Sequence, residues 1–471
     1  MFRRTMAGPL LVAVMVAVGL FVVSGTPGLG SPTAVAPTPG GPGSSPAGSN
    51  PAASGTGNSG TPSSVAPATP PGPEPSSTPG PITSAPPGSP PTLAIGLATR
   101  LQASLDKFAA AHRLPGTSVT ITWADGRRWT GTSGLADVQA GRRVTPATTF
   151  AIASMSKTFT SALVLGMVDE GRLSLDAKVA TLLPTVRLGT PGRPIPAGIT
   201  VRMLLDHTSG LADFFFSKGI DKALLAGRGA TWTPAMSLAR VGKALGKPGR
   251  SWHYSNTNYV LLGLIAEKVG HAPFAKLVRT RLLHPLGLDG IFIQGAERPT
   301  GPLAFGYYYP HLGPSARPIG LADGGRTVVP FTSVVTAAGT AGNMAATSAD
   351  LAAWARALYG GSVLRPETLA LAAAGAQTTA RFRPYVPYGL GVQVTTIGRH
   401  RALGHSGRFI GVRGELRYLP DAGLAIAILT SQNGVDVRPL VAKLVAFALP
   451  KPAVPASPPP GVPGSPTPTG P

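Results

Sequence analysis

Between residues 93 and 449 the apolar positions change period several times, and each change predicts an element. Leu97, Leu101, Leu105, Phe108 and Ala109 recur three or four apart, which predicts a helix that closes near Pro115-Gly116. The period then drops to two. Thr117 to Trp123 alternates with β-branched residues, Asp125-Gly126 signals a hairpin, and Arg128 to Gly134 reads as the returning strand. From Ala151 to Val168 the chain is apolar or small on every side, with Lys157 its only charge, and this predicts a buried helix stopped at Gly171. Leu204 to Leu211 reads as a helix end running into a capped turn, and Asn258 to Val269 as a helix. Toward the C-terminus His400 to Ser406, Val412 to Leu419 and Gly423 to Thr430 read as strands, with Pro420-Asp421-Ala422-Gly423 turning the last two, and a closing helix runs from Val437 to Leu449. Strands at both ends with helices between predict an α/β (α+β) fold. One antiparallel sheet, completed by N- and C-terminal segments, is flanked by helices and carries an inserted, mainly helical subdomain.

The ends of the chain break this pattern. Arg3 and Arg4 precede an apolar run from Leu10 to Val23, shorter than the roughly 20 residues that span a bilayer, so residues 1–25 read as a signal peptide or N-terminal anchor. The arginines stay on the cytoplasmic side, which places the remainder outside the cytoplasm, secreted or tethered. Residues 26–92 are Pro, Gly, Ser, Thr and Ala with almost no large apolar side chain, and residues 450–471 repeat that composition, so both are expected to be disordered. Of the 471 residues, then, 93–449 form the folded domain.

Charge and composition narrow the chemistry. Forty-one Lys and Arg against 19 Asp and Glu give a net charge of +22, and only Arg3, Arg4 and Glu74 are charged before Arg100, so the folded domain carries the excess. No motif of nucleic-acid recognition accompanies that charge, and an anionic cell-wall polymer or membrane surface is the expected partner rather than nucleic acid. The chain has no cysteine, and its eight histidines lack H-E-x-x-H spacing, so neither a disulfide nor a metal or other cofactor is expected.

Ser154-Met155-Ser156-Lys157 places a hydroxyl and an amine on one helical face. A lysine in an otherwise uncharged buried helix loses basicity, by up to roughly 3 to 5 units, and can then take a proton from a hydroxyl; a lysine snorkelling out of an ordinary core helix is the plainer alternative. Tyr254-Ser255-Asn256 brings a phenol and an amide just ahead of the Asn258 helix. Tyr254 could relay protons, and Asn256 could hold a substrate carbonyl or orient Lys157, or the triplet could be only a capping turn. Gly404-His405-Ser406-Gly407 lies at a strand end, where glycine lets a ligand approach the backbone. A backbone amide there, with that of Ser154, would make an oxyanion hole. No G-x-S-x-G occurs, which removes a nucleophile elbow.

These elements, in this order, resemble the serine hydrolases of the class C β-lactamase and D-alanyl-D-alanine carboxypeptidase family. The resemblance runs from Leu93 to Leu449, with Ser-x-x-Lys at Ser154 and Lys157, Tyr-x-Asn at Tyr254 and Asn256, and the Lys-Thr-Gly element as His405, Ser406 and Gly407. His207-Thr-Ser-Gly-Leu211 and Arg417-Tyr-Leu-Pro-Asp421 are similar as well. The resemblance implies a metal-free acyl-enzyme on Ser154, proton transfer shared by Lys157 and Tyr254, substrate held by Asn256 and Ser406, and an oxyanion hole from the amides of Ser154 and Arg408. It also implies substrates among small peptides, β-lactams and esters. His405 departs from the lysine usual in class C β-lactamases and suits peptidases and esterases better; a neutral His405 that donates a hydrogen bond or packs beneath the site is expected over a cation. His207, apart in sequence from the other motifs, is expected to be structural.

Overall fold

The computed structural model describes residues 93–309, 317–321, 331–374 and 387–449. The expected signal peptide or anchor (1–25), the linker (26–92) and the tail (450–471) lie outside the described residues.

The first periodic stretch forms α1 (Ile95–Ala111), and the hairpin that follows is β1 (Gly116–Thr122) and β2 (Arg128–Asp137), extended by the two-residue β3 (Arg142–Arg143). Next come β4 (Phe150–Ala151), a 3-10 turn at Ala153–Ser156, and α2 (Lys157–Asp169). The middle of the chain is helical and loop-rich, with α3 (Val201–Leu205) and α4 (Asn256–Gly270), and it is interrupted by β5 (Ile291–Ile293) and β6 (Met344–Ala346) ahead of α5 (Ser348–Tyr359). The chain returns to the sheet through β7 (Gln393–Ile397), β8 (His400–Phe409), β9 (Val412–Leu419) and β10 (Leu424–Thr430), and ends in α6 (Arg438–Ala448).

The main sheet is antiparallel in the order β7-β8-β9-β10-β1-β2-β3, so the last strand of the chain pairs with the first, Val119 lying opposite Ile428 on one side and Gly131 on the other. This closure follows from alternation. Val119, Ile121, Ile426 and Ile428 point to one face, where they meet Leu101 and Leu105 of α1 and Leu440 and Leu444 of α6. The residues between them on β9 and β10, among them Leu416, Ala425, Ala427 and Leu429, point to the other face and join the larger core formed with α2, α4 and α5. A fully buried aliphatic side chain contributes about 2 kcal/mol, and α2 buries residues on every side, as the uncharged run from Thr158 to Val168 requires.

Several boundaries differ from those the sequence predicts, and each difference bears on the site. The segment around Ser154 is not the first turn of an α-helix; it is a 3-10 turn entered through Ala153, whose φ of 49° is a left-handed backbone that only glycine adopts without cost. The Asn258 helix begins two residues earlier, at Asn256, with Ser255 as its N-cap position. The strand expected to end at Ser406 continues to Phe409 because β9 pairs with it that far. The strand β7 and the small sheet β4-β6-β5 are additions to the predicted set. Two- and three-residue strands show no period, although Val394-Thr395-Thr396-Ile397 carries the β-branched signal.

Candidate active site

The Ser154 turn rests on the sheet through contacts that only glycines permit. A Cβ on Gly407 would fall 2.1 Å from the carbonyl oxygen of Ile152, and one on Gly414 would fall 2.4 Å from the Met155 methyl. The backbone that approaches Gly407 closely is thus the protein's own, where a ligand was expected. Strand β7 reaches only from His400 to Gly404 along β8, so from His405 to Phe409 that edge of β8 has no further strand beside it among the described residues.

Lys157 is wholly buried, and its amine has three neighbours: Asn256 Oδ1 at 2.7 Å, the Ala341 carbonyl at 2.7 Å and Ser154 Oγ at 3.1 Å. Burial lowers its pKa to about 7, against which the Asp213 carboxylate raises it. A neutral amine has two hydrogens and one lone pair. The Asn256 and Ala341 oxygens can only accept, so they take both hydrogens, and the lone pair is left for the Ser154 hydroxyl. On its other side Ser154 Oγ accepts from the Tyr254 hydroxyl at 2.9 Å. Burial pushes the Tyr254 phenol well above its ordinary range, despite its bond to Ser154, so it remains a donor. The snorkelling alternative for Lys157 does not hold, since its amine is enclosed.

Tyr254 is held by a residue whose part in the site the sequence did not disclose. His207, fully buried with φ 64°, packs its ring against that of Tyr254 at 4.3 Å between centroids. Its Nδ1 accepts from the Ser255 amide and lies 3.2 Å from Asn258 Nδ2. Burial first, then Lys157 and His405, hold His207 well below the usual histidine range, so it is neutral. The structural role expected for it stands; its turn, remote in sequence, is in contact with the site.

Asn256 faces Lys157 with its oxygen, and its Nδ2 donates to Asp213 Oδ2 at 2.7 Å, so both ends of the amide are engaged within the protein. Asp213 was not among the residues singled out in the sequence, although it is the only acid between Leu211 and Phe216. It is 5% exposed and caps the 3-10 turn Phe214–Phe216 through the Phe215 amide at 3.0 Å.

The strand wall is built differently. His405 is 1% exposed: its Nδ1 donates to the Ser406 carbonyl at 2.6 Å, and its Nε2 accepts from the Tyr388 hydroxyl at 3.0 Å. That pattern fixes the neutral tautomer protonated at Nδ1. Burial, then Lys157, hold its pKa down at about 3. With both nitrogens engaged, His405 packs beneath the site and leaves no ring nitrogen for a ligand. Gln393 takes up the amide of Ser406 with its Oε1 at 3.0 Å and donates to Ser406 Oγ at 3.1 Å. Arg417, buried and ion-paired with the equally buried Glu415, donates to the same Gln393 Oε1 at 2.8 Å. Alternate amides of a strand share a direction, so the Arg408 amide points to the same edge as that of Ser406. Ser154, Tyr254, Asn256, Ser406 and Arg408 keep partial exposure around this enclosed framework, whereas Gly407 is buried.

The model of the beta-lactamase family matches residues 101–449. The chain belongs to the beta-lactamase family. It is similar to penicillin-binding protein 4 of Amycolatopsis lactamdurans, at 28% identity over 75% of this chain and 92% of that protein, and to esterase EstB of Burkholderia gladioli, at 31% identity over 43% and 53%. Among solved structures it is similar to a D-stereospecific amidohydrolase from Streptomyces sp., with TM-score 0.62 and 28% identity over 73% of this chain and 97% of that one. The D-amino acid amidase of Ochrobactrum anthropi shares the fold, with TM-score 0.61 and 24% identity over 75% and 98%. The beta-lactamase family relatives are serine hydrolases, and this chain is an enzyme of that kind with the expected mixed α/β fold.

Proposed function

We propose that the protein hydrolyses amides and esters of D-amino-acyl groups, D-alanyl peptides among them, through an acyl-enzyme on Ser154. The observation that carries this reading is the pair of groups on Ser154 Oγ: an amine with its lone pair free for the hydroxyl proton on one side, and a phenol that donates on the other. Lys157 takes the Ser154 proton as Oγ attacks the substrate carbonyl. The amides of Ser154 and Arg408 hold the resulting oxyanion, each such donor being worth about 3 kcal/mol. Lys157 then returns the proton by way of Tyr254 to the departing amine or alcohol, and a water molecule, activated by the same pair, releases the acid and restores Ser154. Ser406 and the face of Asn256 left open border the substrate, and His405 acts indirectly, through the strand.

The D-amino-acyl preference is supported by the similarity to the D-stereospecific amidohydrolase and to penicillin-binding protein 4. The Arg3-Arg4 and Leu10–Val23 segment supports action outside the cytoplasm, in the cell envelope, where the basic domain would meet anionic polymer or membrane surface; among the described residues no helix is long and apolar enough to cross a membrane. The test is a substrate panel for the purified chain: the amides and p-nitrophenyl esters of D- and L-alanine, a peptide ending in D-alanyl-D-alanine, and a fluorescent penicillin. Turnover of D-amino-acyl compounds over their L forms is expected, with slow penicillin turnover. Rapid penicillin hydrolysis would make it a β-lactamase, indifference to configuration a general esterase, and no reaction a non-catalytic envelope-binding protein.

A further inference from the structure

Asp213 is a buried carboxylate that the reaction above does not use. It touches neither Ser154 nor Lys157 in a hydrogen bond, yet its two oxygens settle the orientation of the group between them: Oδ1 accepts the Phe215 amide at 3.0 Å and Oδ2 accepts Asn256 Nδ2 at 2.7 Å. Asn256 is therefore fixed with Oδ1 toward Lys157. Turned over, the amide would present Nδ2 to Lys157. It would then donate to the lone pair that otherwise serves Ser154, and the amine would no longer be a base for it.

We propose that Asp213 is a positioning residue for acylation, locking the Asn256 amide in the one orientation that leaves the Lys157 lone pair to Ser154. This rests on the reading of Ser154 and Lys157 given above. Asp213 also bears on the proton affinity of Lys157. The amine is surrounded by Asp213 beyond Asn256, the Tyr254 and Tyr259 rings at 5.0 and 5.4 Å, and the neutral His207 and His405, so Asp213 supplies the negative charge opposed to burial. Removing that charge lowers the pKa of Lys157 further.

The substitution that separates these roles from folding is Asp213→Asn. Asparagine keeps the cap on Phe215 with its oxygen, as good a cap as aspartate, but then points an NH2 at the Asn256 NH2, and the clash of donors is relieved by turning Asn256. The rate of acylation by the p-nitrophenyl ester of N-acetyl-D-alanine, followed from about pH 5 to about pH 10, is expected to fall about 100-fold at its plateau, with KM little changed and the acid limb displaced to lower pH. The exchange Asp213→Asn with Asn256→Asp restores the polarity of the bond and sets a carboxylate directly on Lys157. It should recover acylation in part, with an acid limb above that of the wild type. A single variant whose plateau and limb both match the wild type, or a double variant no better than the single one and with the same limb, overturns the proposal. A wild-type protein that is not acylated overturns instead the reading on which it rests.

Discussion

The two walls of the site use buried polar groups to different ends. On the helical wall Lys157 and Tyr254 both meet a side-chain oxygen, Ser154 Oγ, with Asn256 holding the Lys157 amine from behind, and the group nearest to changing charge at neutral pH is that amine. On the strand wall the bonds of Gln393, His405 and Arg417 converge on the backbone of β8 and on Gln393 itself. There His405 is neutral and locked. In the proposed mechanism the difference separates the work: one wall moves protons, while the other holds a strand edge still, where small displacements of an amide are costly to transition-state binding.

Breaking the helical wall should have the larger effect. Lys157→Met removes the base and keeps the volume, and it is expected to reduce acylation about 1000-fold or more in single-turnover kinetics. The fold should survive, because methionine is an easier group than an amine to bury at this position; a circular dichroism melt reports that directly. Breaking the strand wall at Gln393→Ala should act on binding and stability together. It removes the partner of the Ser406 amide and one acceptor of Arg417, for a loss of about 2 kcal/mol in denaturant unfolding, with a several-fold rise in KM exceeding the fall in kcat. A kcat loss as deep as that of Lys157→Met would mean that the strand wall takes part in proton transfer.

How far this contrast is legible in the sequence depends on the length of the signal. The helices and long strands announce themselves by period, Lys157 stands out as the one charge in its segment, and Ser154, Tyr254 and Asn256 stand out by their spacing in Ser-x-x-Lys and Tyr-x-Asn. Asp213 is likewise the one charge between Leu211 and Phe216, but nothing local shows its part, since its partner lies 43 residues away in the chain. Gln393, Tyr388 and the Glu415–Arg417 pair carry no local mark: each matters for what folding brings beside it. Gly407 marks a close approach to the strand backbone, but no local pattern says that the approaching group is the Ile152 carbonyl and not a ligand.

The smallest expected effect sharpens the same comparison. Activity needs the neutral amine, so kcat/KM should rise with pH through a single acid limb near 7, the pKa to which burial brings Lys157. His405, held at about 3, titrates below this range, so the affinity for an anionic relative to a neutral substrate should change across about pH 6 to about pH 8 only as Lys157 loses its charge, and alike in the wild type and in His405→Gln. His405→Gln should leave the limb in place, while a carboxylate-selective loss of affinity over that range that is present in the wild type and absent in His405→Gln would show a cationic His405, because Lys157 is common to both proteins.

The central claim, that Ser154 is the acylated nucleophile, is tested most directly by intact-protein and peptide mass spectrometry after quenching the reaction with a slowly released acyl donor such as a fluorescent penicillin. The account predicts one acyl group per chain, on the peptide that contains Ser154, and none in Ser154→Ala, a substitution that leaves little cavity and a folded domain. An adduct that persists in Ser154→Ala, or that maps to another residue of the wild type, would contradict it.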